Sequence, residues 1–306
     1  MLHDSYDVII VGGGPAGLTA GIYASRARLK TLVLERLFIG GQVSTTYLVE
    51  NYPGFPDGLD GPAMMELFAK QAERFGTEIV DEEVTGIRLE GGKKIVQVSS
   101  RPVPAGAIII ATGSDPRKLN VPGEKELGGK GVSFCATCDG ALFPDVDVAV
   151  VGGGDAAAEE ALFLTRFASK AYLIHRRDKL RAEKIIQERL FANNKMEFVW
   201  DTVVERMNGE EGLKSLTLKN LKTGNTDDLK VEGVFIAIGH EPNTGFVKGL
   251  LKMDAQGYII TKNNLETSIP GIFAAGDVRA GSTRQIATAV GDGSVAAMAA
   301  ERYLAA

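Results

Sequence analysis

At 306 residues the chain exceeds the length at which one hydrophobic core usually stops growing, so two domains of ordinary size are expected. A hydrophobic fraction of 44% with 24% charged residues suits a folded globular chain, and 37 glycines point to many close backbone approaches. The net charge of −5 offers no basic footprint for nucleic acid, and no apolar run nears the roughly 20 residues that span a membrane, so neither partner is expected.

Met1 to Asp7 has no basic stretch followed by an apolar segment, so no export signal is read there and a cytoplasmic location is the default. The first motif follows at once. Val8-Ile9-Ile10-Val11 leads into Gly12-Gly13-Gly14-Pro15-Ala16-Gly17, and Leu32-Val33-Leu34-Glu35 comes after it. The pattern predicts a buried parallel strand, a glycine turn, a helix and a second strand. In such a unit Gly12, Gly14 and Gly17 allow the tight turn and the approach of a pyrophosphate to the helix N-terminus, while Glu35 can accept from ribose hydroxyls.

Ile108-Ile109-Ile110-Ala111-Thr112-Gly113 predicts another buried strand, followed by the turn Ser114-Asp115-Pro116. The only two cysteines lie together in Cys135-Ala136-Thr137-Cys138. A disulfide there closes a loop too small to stabilise the fold much, so its value lies in reactivity. The spacing reads as a redox couple or half a metal site. A zinc site needs two more ligands, and His3, His175 and His240 are all distant in sequence, so no metal is expected.

The first pattern then repeats 140 positions further on, as Val148-Ala149-Val150-Val151, Gly152-Gly153-Gly154-Asp155-Ala156-Ala157 and Tyr172-Leu173-Ile174-His175. Two such units in register are far stronger evidence for dinucleotide binding than one. The second lacks the strand-end carboxylate and has His175-Arg176-Arg177 instead, with Arg181 expected one helical turn on. Guanidinium forks suit a 2′-phosphate, so the second site prefers NADPH to NADH. Val234 to Gly239 and the turn His240-Glu241-Pro242 mirror the earlier strand and turn. The predicted fold class is therefore α/β, with two Rossmann-like domains. Residues 1–114 and 244–306 form the first, and residues 115–243 form a second inserted into it.

Over essentially its whole length the chain resembles the short, bacterial-type thioredoxin reductases. The resemblance rests on Gly12 to Gly17, Gly40-Gly41-Gln42, Glu50 to Gly54, Cys135 to Gly140, His175-Arg176-Arg177 and Gly271 to Asp277. It implies FAD in the first domain, NADPH in the second, a thioredoxin or thioredoxin-like partner, and a homodimer. It also implies that Asp277 bonds the ribityl chain of FAD and that Gln42, Asn51, Gln285 and Ile286 lie near the flavin ring. Pro15, Ala16, Gly41, Thr112, Gly113 and Arg284 complete the flavin set; Gly152, Gly154, Asp155, Ala156, Glu159 and Gly239 belong to the NADPH set. Asp277 could instead cap the next helix. Three positions depart from the family pattern: Ala156 lacks the usual hydroxyl, Thr283 is smaller than the common residue, and Phe134 replaces a frequent Tyr.

The implied electron order is NADPH to FAD to the Cys135 and Cys138 disulfide to an external disulfide. Cys138 is expected to face the flavin, Cys135 to attack the partner, and Asp139 to move thiol protons, although Asp139 could simply cap a helix. With no third cysteine as a relay, one pair must meet both flavin and partner, so a rotation about the two proline turns is expected. Open alternatives are a flavin dithiol oxidase, a ferredoxin-fed reductase and, outside enzymes, a nucleotide-binding redox sensor.

Overall fold

A computed structural model describes residues 2–46 and 48–306. Met1 and Tyr47, both in the segment assigned to the first domain, lie outside the described residues. The chain opens with β1 (Tyr6–Val11), α1 (Pro15–Arg26) and β2 (Thr31–Glu35), then α2 (Gly61–Arg74) and β3 (Glu78–Asp81). An antiparallel excursion follows in β4 (Val84–Glu90) and β5 (Lys93–Val98), and the long β6 (Pro102–Ile110) returns to the sheet. After β7 (Ser114–Pro116) come β8 (Val132–Ser133), α3 (Ala136–Asp139), β9 (Asp147–Gly152), α4 (Asp155–Leu164), β10 (Lys170–Ile174), α5 (Lys184–Ala192) and β11 (Met196–Val199). The hairpins of β12 (Thr202–Gly209), β13 (Leu213–Asn220) and β14 (Thr226–Lys230) precede β15 (Gly233–Ala237) and β16 (His240–Pro242). β17 (Ile272–Ala274) and α6 (Ile286–Ala305) close the chain.

Two compact units result: Met1–Asp115 with Glu241–Ala306, and Pro116–His240. The connecting strands β7 and β16 pair with each other. The first unit is built on a sheet of order β3-β2-β1-β6-β5-β4. β1 pairs in parallel with β2 on one side and β6 on the other, so the strand order reverses at β1. That reversal opens a crevice at the carboxyl ends of the strands, where ligands of such sheets bind. The outer edge of β6 is shared: Pro102 to Ala105 pairs antiparallel with β5, while Ile108 to Ile110 pairs in parallel with β17.

Burial explains the unbroken apolar runs. Ile9 and Val11 join the core on one face of the first sheet, and Val8 and Ile10 join Ala16, Ala20 and the alanines of α6 on the other. A strand covered on both faces has no position where a polar side chain meets water, so alternation disappears. The second unit repeats this logic in an all-parallel sheet of order β11-β10-β9-β15-β8. α3, α4 and α5 cover one face through Ala136, Ala157, Ala161, Leu164 and Leu190, and the antiparallel layer β12 to β14 covers the other through Val204, Met207, Leu216 and Leu218. No helix among the described residues is long and apolar enough to cross a membrane.

Candidate functional site

Cys135 and Cys138 are joined by a disulfide, with Cα atoms 5.3 Å apart. Cys135 is the N-cap of the single turn α3, and the backbone N–H groups of Cys138 and Asp139 both donate to its carbonyl. The turn is fixed from below because Ala136 is fully buried against the small residues Ala157, Ala158 and Ala161 of α4. It is fixed from the side by Ser133, which sits on β8 opposite Phe235 of β15. The Ser133 hydroxyl accepts from the Cys135 N–H at 3.1 Å and donates to Asp139 Oδ2 at 2.6 Å.

Asp139 therefore does not cap a helix. No side-chain bond is made to the turn Gly140–Leu142 that follows it. Burial raises its carboxyl above the ordinary aspartate range, and the Ser133 bond pulls it back in part. A carboxyl held above the ordinary aspartate range beside a cysteine pair can give and receive the protons that thiol exchange requires.

The second glycine turn stands at the start of α4. Gly154 is the N-cap, no side chain caps the helix, and a Cβ at Gly154 would meet nothing within 4 Å. Open space over unpaired N–H groups fits a pyrophosphate. Asp155 turns its carboxylate away, accepting from the Glu183 N–H at 2.7 Å, and Ala156 and Glu159 stand exposed on the same helix. Gly239, at φ +103°, accepts from the Arg117 N–H.

The basic segment departs from the sequence reading. Residues 175–183 form a bent loop and not a helical turn, and α5 begins only at Lys184. Arg181 reaches the glycine turn because its backbone N–H donates to the Gly153 carbonyl at 2.7 Å. A local tertiary bond, and not helical spacing, sets its place. His175 is buried under the turn, so close that a Cβ at Gly153 would lie 2.1 Å from its ring. Burial lowers its pKa, opposed by a Gly152 backbone bond, and Arg181, Arg177 and Arg176 push it lower. His175 is thus a neutral support for the turn, while Arg176, Arg177 and Arg181 are exposed. None of the three is ion-paired among the described residues.

In the first unit Gly14 caps α1 without a side-chain bond, and a Cβ there would meet only the Gly40 carbonyl at 4.0 Å. Pro15 occupies the first helical turn, where its missing N–H is harmless, and Ala16 packs behind it. Gly17 is required by contact, since a Cβ would stand 1.9 Å from the Gly12 carbonyl. Glu35 accepts from Gly13 N–H through Oε2 and from Arg36 and Leu37 N–H through Oε1. One lone-pair position on Oε2 is left, which fits a ribose hydroxyl.

The remaining flavin candidates come from distant parts of the chain. Gln42, beside the left-handed Gly41, donates to Asp115 at 2.7 Å, and Asn51 donates to Gln285 at 3.1 Å across 234 positions. Ile286 begins α6 and packs against the cluster around Val43, Met64 and Met65. Asp277 does not cap α6, whose N-cap is Gln285; it accepts from the Ser282 hydroxyl, and burial raises its pKa. Arg284, at φ +56°, places its guanidinium on Tyr258. Thr112 donates to the Asn243 carbonyl, and Gly113, at φ +66°, accepts from the Asn243 N–H, so these two fasten the returning chain.

Ser133 is the site residue that sequence reasoning misses. A serine two positions before a cysteine carries no pattern; only the pairing of β8 with β15 turns it toward Asp139.

The pyridine nucleotide-disulphide oxidoreductase family matches residues 6–293. A thioredoxin reductase of Streptomyces coelicolor is 49% identical over 308 residues, covering 100% of this chain and 96% of its own. A solved thioredoxin reductase from Streptococcus pyogenes is 46% identical, covers 99% of both chains and superposes with a TM-score of 0.95. One from Lactococcus lactis, described as the FR conformation, has the same 46% identity and covers 98% and 99%, yet superposes with a TM-score of only 0.68.

Proposed function

We propose how this chain, which belongs to the pyridine nucleotide-disulphide oxidoreductase family and within it to the thioredoxin reductases, divides its work among its own residues. It is an enzyme that uses FAD and NADPH, and its redox-active disulfide is Cys135–Cys138. The observation that carries the residue assignment is the half-buried carboxyl of Asp139, held by Ser133 beside that disulfide.

When bound, FAD supplies the two-electron carrier between a nicotinamide and the protein disulfide. The turn Gly12 to Gly17 and the uncapped start of α1 hold its pyrophosphate, Glu35 its ribose, and Asp277 its ribityl chain. Asn51 and Gln285, already joined, flank the ring, with Gln42 and Ile286 beside them. Gly152 to Gly154 and α4 hold the NADPH pyrophosphate, and Arg176, Arg177 and Arg181 take the 2′-phosphate.

Once reduced, Cys135 attacks the partner disulfide as a thiolate, forming a mixed disulfide and expelling a thiolate that takes its proton from Asp139. Cys138 then attacks Cys135, which releases the reduced partner and restores the original disulfide. A thioredoxin, whose potential is about −270 mV, is a feasible acceptor for electrons from NADPH.

Anaerobic titration of the purified protein tests this path. NADPH is expected to bleach the flavin absorbance near stoichiometry, NADH only at much higher concentration, and oxidised thioredoxin to restore it. If neither nucleotide bleaches the flavin, the ferredoxin-fed or oxidase reading replaces this one.

Since the chain has two cysteines and no relay pair, we also propose that the second unit turns about the strands β7 and β16 during turnover. The unequal superposition of two relatives at equal identity supports more than one arrangement in the family. A non-reducible crosslink tethering the two units is expected to remove most of the turnover, and undiminished activity would refute the rotation. A reducing compartment such as the cytoplasm suits a cysteine pair that cycles, and the resemblance to the short thioredoxin reductases implies a homodimer.

A further inference from the structure

Arg279 and Asp292 form an ion pair that none of these roles employs. Asp292 lies in the second turn of α6, and Arg279 directly follows the short turn Gly276–Val278 that carries Asp277. Asp292 Oδ2 accepts from the Gly276 N–H at 3.0 Å and from Arg279 Nε, while Oδ1 accepts from Arg279 Nη2 at 2.9 Å. Arg279 Nη1 donates to the Ala280 carbonyl at 3.3 Å. One carboxylate thus holds the residue before Asp277 and, through a fork, the second residue after it.

The pair stands where three segments assigned to the flavin meet. α6 begins with Ile286 after its N-cap Gln285, both assigned to the ring. The turn Gly276–Val278 offers Asp277 to the ribityl chain, and the start of α1 lies at the pyrophosphate. Packing here leaves little slack. A Cβ at Gly276 would lie 3.0 Å from the Ala16 Cβ of α1, and one at Gly293, beside Asp292, would lie 2.2 Å from the Ala16 carbonyl oxygen. The side chains of Arg279 and Asp292 are only 20% and 13% exposed. An ion pair so far from water adds little net stability, because desolvation offsets the attraction. What a two-pronged guanidinium–carboxylate bond adds is direction.

We propose that Arg279 and Asp292 are positioning residues for FAD: they lock the Asp277 turn to α6, so that the ribityl contact and the ring contacts stand at a fixed spacing before the cofactor arrives. The inference rests on the flavin contacts assigned above. The side-chain bond of Asp277, from the Ser282 hydroxyl at 2.7 Å, stays within its own loop and does not set a distance to α6. The backbone bonds around the turn run from the Ala275 N–H to the Ile110 carbonyl and from the Ile259 N–H to the Val278 carbonyl. Among the described residues, Asp292 is the hydrogen-bonded link from the turn to α6. Groups that bind one ligand from separate elements gain affinity when a second layer of bonds fixes them beforehand.

The test is release of FAD from the holoenzyme on serial dilution, read as the rise in flavin fluorescence, which gives the dissociation constant without turnover. Asp292→Asn keeps the shape, removes the charge and leaves one acceptor oxygen. It should weaken FAD binding about tenfold, the lower end of what supporting partners of a ligating side chain are worth at metal sites. In an Asp277→Ala background the same change should cost no more than about twofold, because the spacing ceases to matter once Asp277 is gone. An unchanged constant in Asp292→Asn, or an equal loss in both backgrounds, overturns the proposal while the ribityl assignment stands. If Asp277→Ala alone releases no more FAD than the wild type, the ribityl assignment fails and takes the proposal with it. If Asp292→Asn fails to fold, Arg279→Lys keeps the charge without the fork; the same cycle with Asp277→Ala then decides, with the same expected and overturning results.

Discussion

Cys138→Ser is expected to abolish thioredoxin reduction, by at least about 10⁴-fold, while the protein stays folded and yellow. The size of the loss follows from the chain having no other thiol to take over once Cys135 is left alone. Stability is spared because the disulfide spans a separation of only three residues, and a loop that small restrains the unfolded chain little. The turn itself stands on Ala136 and Ser133 and not on the sulfur bridge. In this variant Cys135 can still attack an oxidised thioredoxin, and with no second thiol to resolve it the mixed disulfide accumulates. Non-reducing electrophoresis and intact mass measure that adduct. If the adduct formed in Cys135→Ser and not in Cys138→Ser, the two sulfurs would exchange roles; if turnover survived either change, the pair would not lie on the electron path.

Asp139→Asn should slow thiol exchange with thioredoxin by about 10²- to 10⁴-fold, the usual worth of a positioned acid. Flavin binding and reduction by NADPH should be unaffected, so stopped-flow separation of the two half-reactions is the measurement. The pH dependence has a definite sign. Burial raises the native pKa of Asp139, so above the ordinary aspartate pKa the folded chain binds more protons here than the unfolded chain does. The protonated form is the donor, and both its supply and its contribution to stability fall as pH rises through the raised value. Ser133→Ala removes the bond that favours the carboxylate, which should move this limb to higher pH. A loss smaller than threefold in Asp139→Asn would assign the proton to another group.

The parts of this architecture that a sequence exposes are those set by local pattern. The runs Val8 to Val11 and Val148 to Val151 are unbroken because each strand is covered on both faces, and Gly17 stands at its spacing because the first turn leaves no room for a Cβ. Adjacency of Cys135 and Cys138 needs no fold at all to be noticed. What stayed hidden depends on distant partners. The pairing of Asn51 with Gln285, the hold of Ser133 on Asp139 and the burial of His175 under Gly153 are made by strands and loops that meet only after folding. Arg181 was expected on a helix because four-residue spacing suits one, but a hydrogen bond to Gly153 fixes that segment as a loop.

The bare starts of α1 and α4 have a thermodynamic consequence. Each helix leaves its first N–H groups without a side-chain acceptor, so a dinucleotide held there, as proposed above, would finish the helix as a serine or aspartate would elsewhere. The fold's resistance to unfolding is then tied by mass action to ligand supply, gaining about 2.7 kcal/mol at a hundredfold excess over the dissociation constant. In a flavin-poor cell the same chain would be the more easily unfolded and degraded, so its abundance would follow the cofactor pool with no regulator involved.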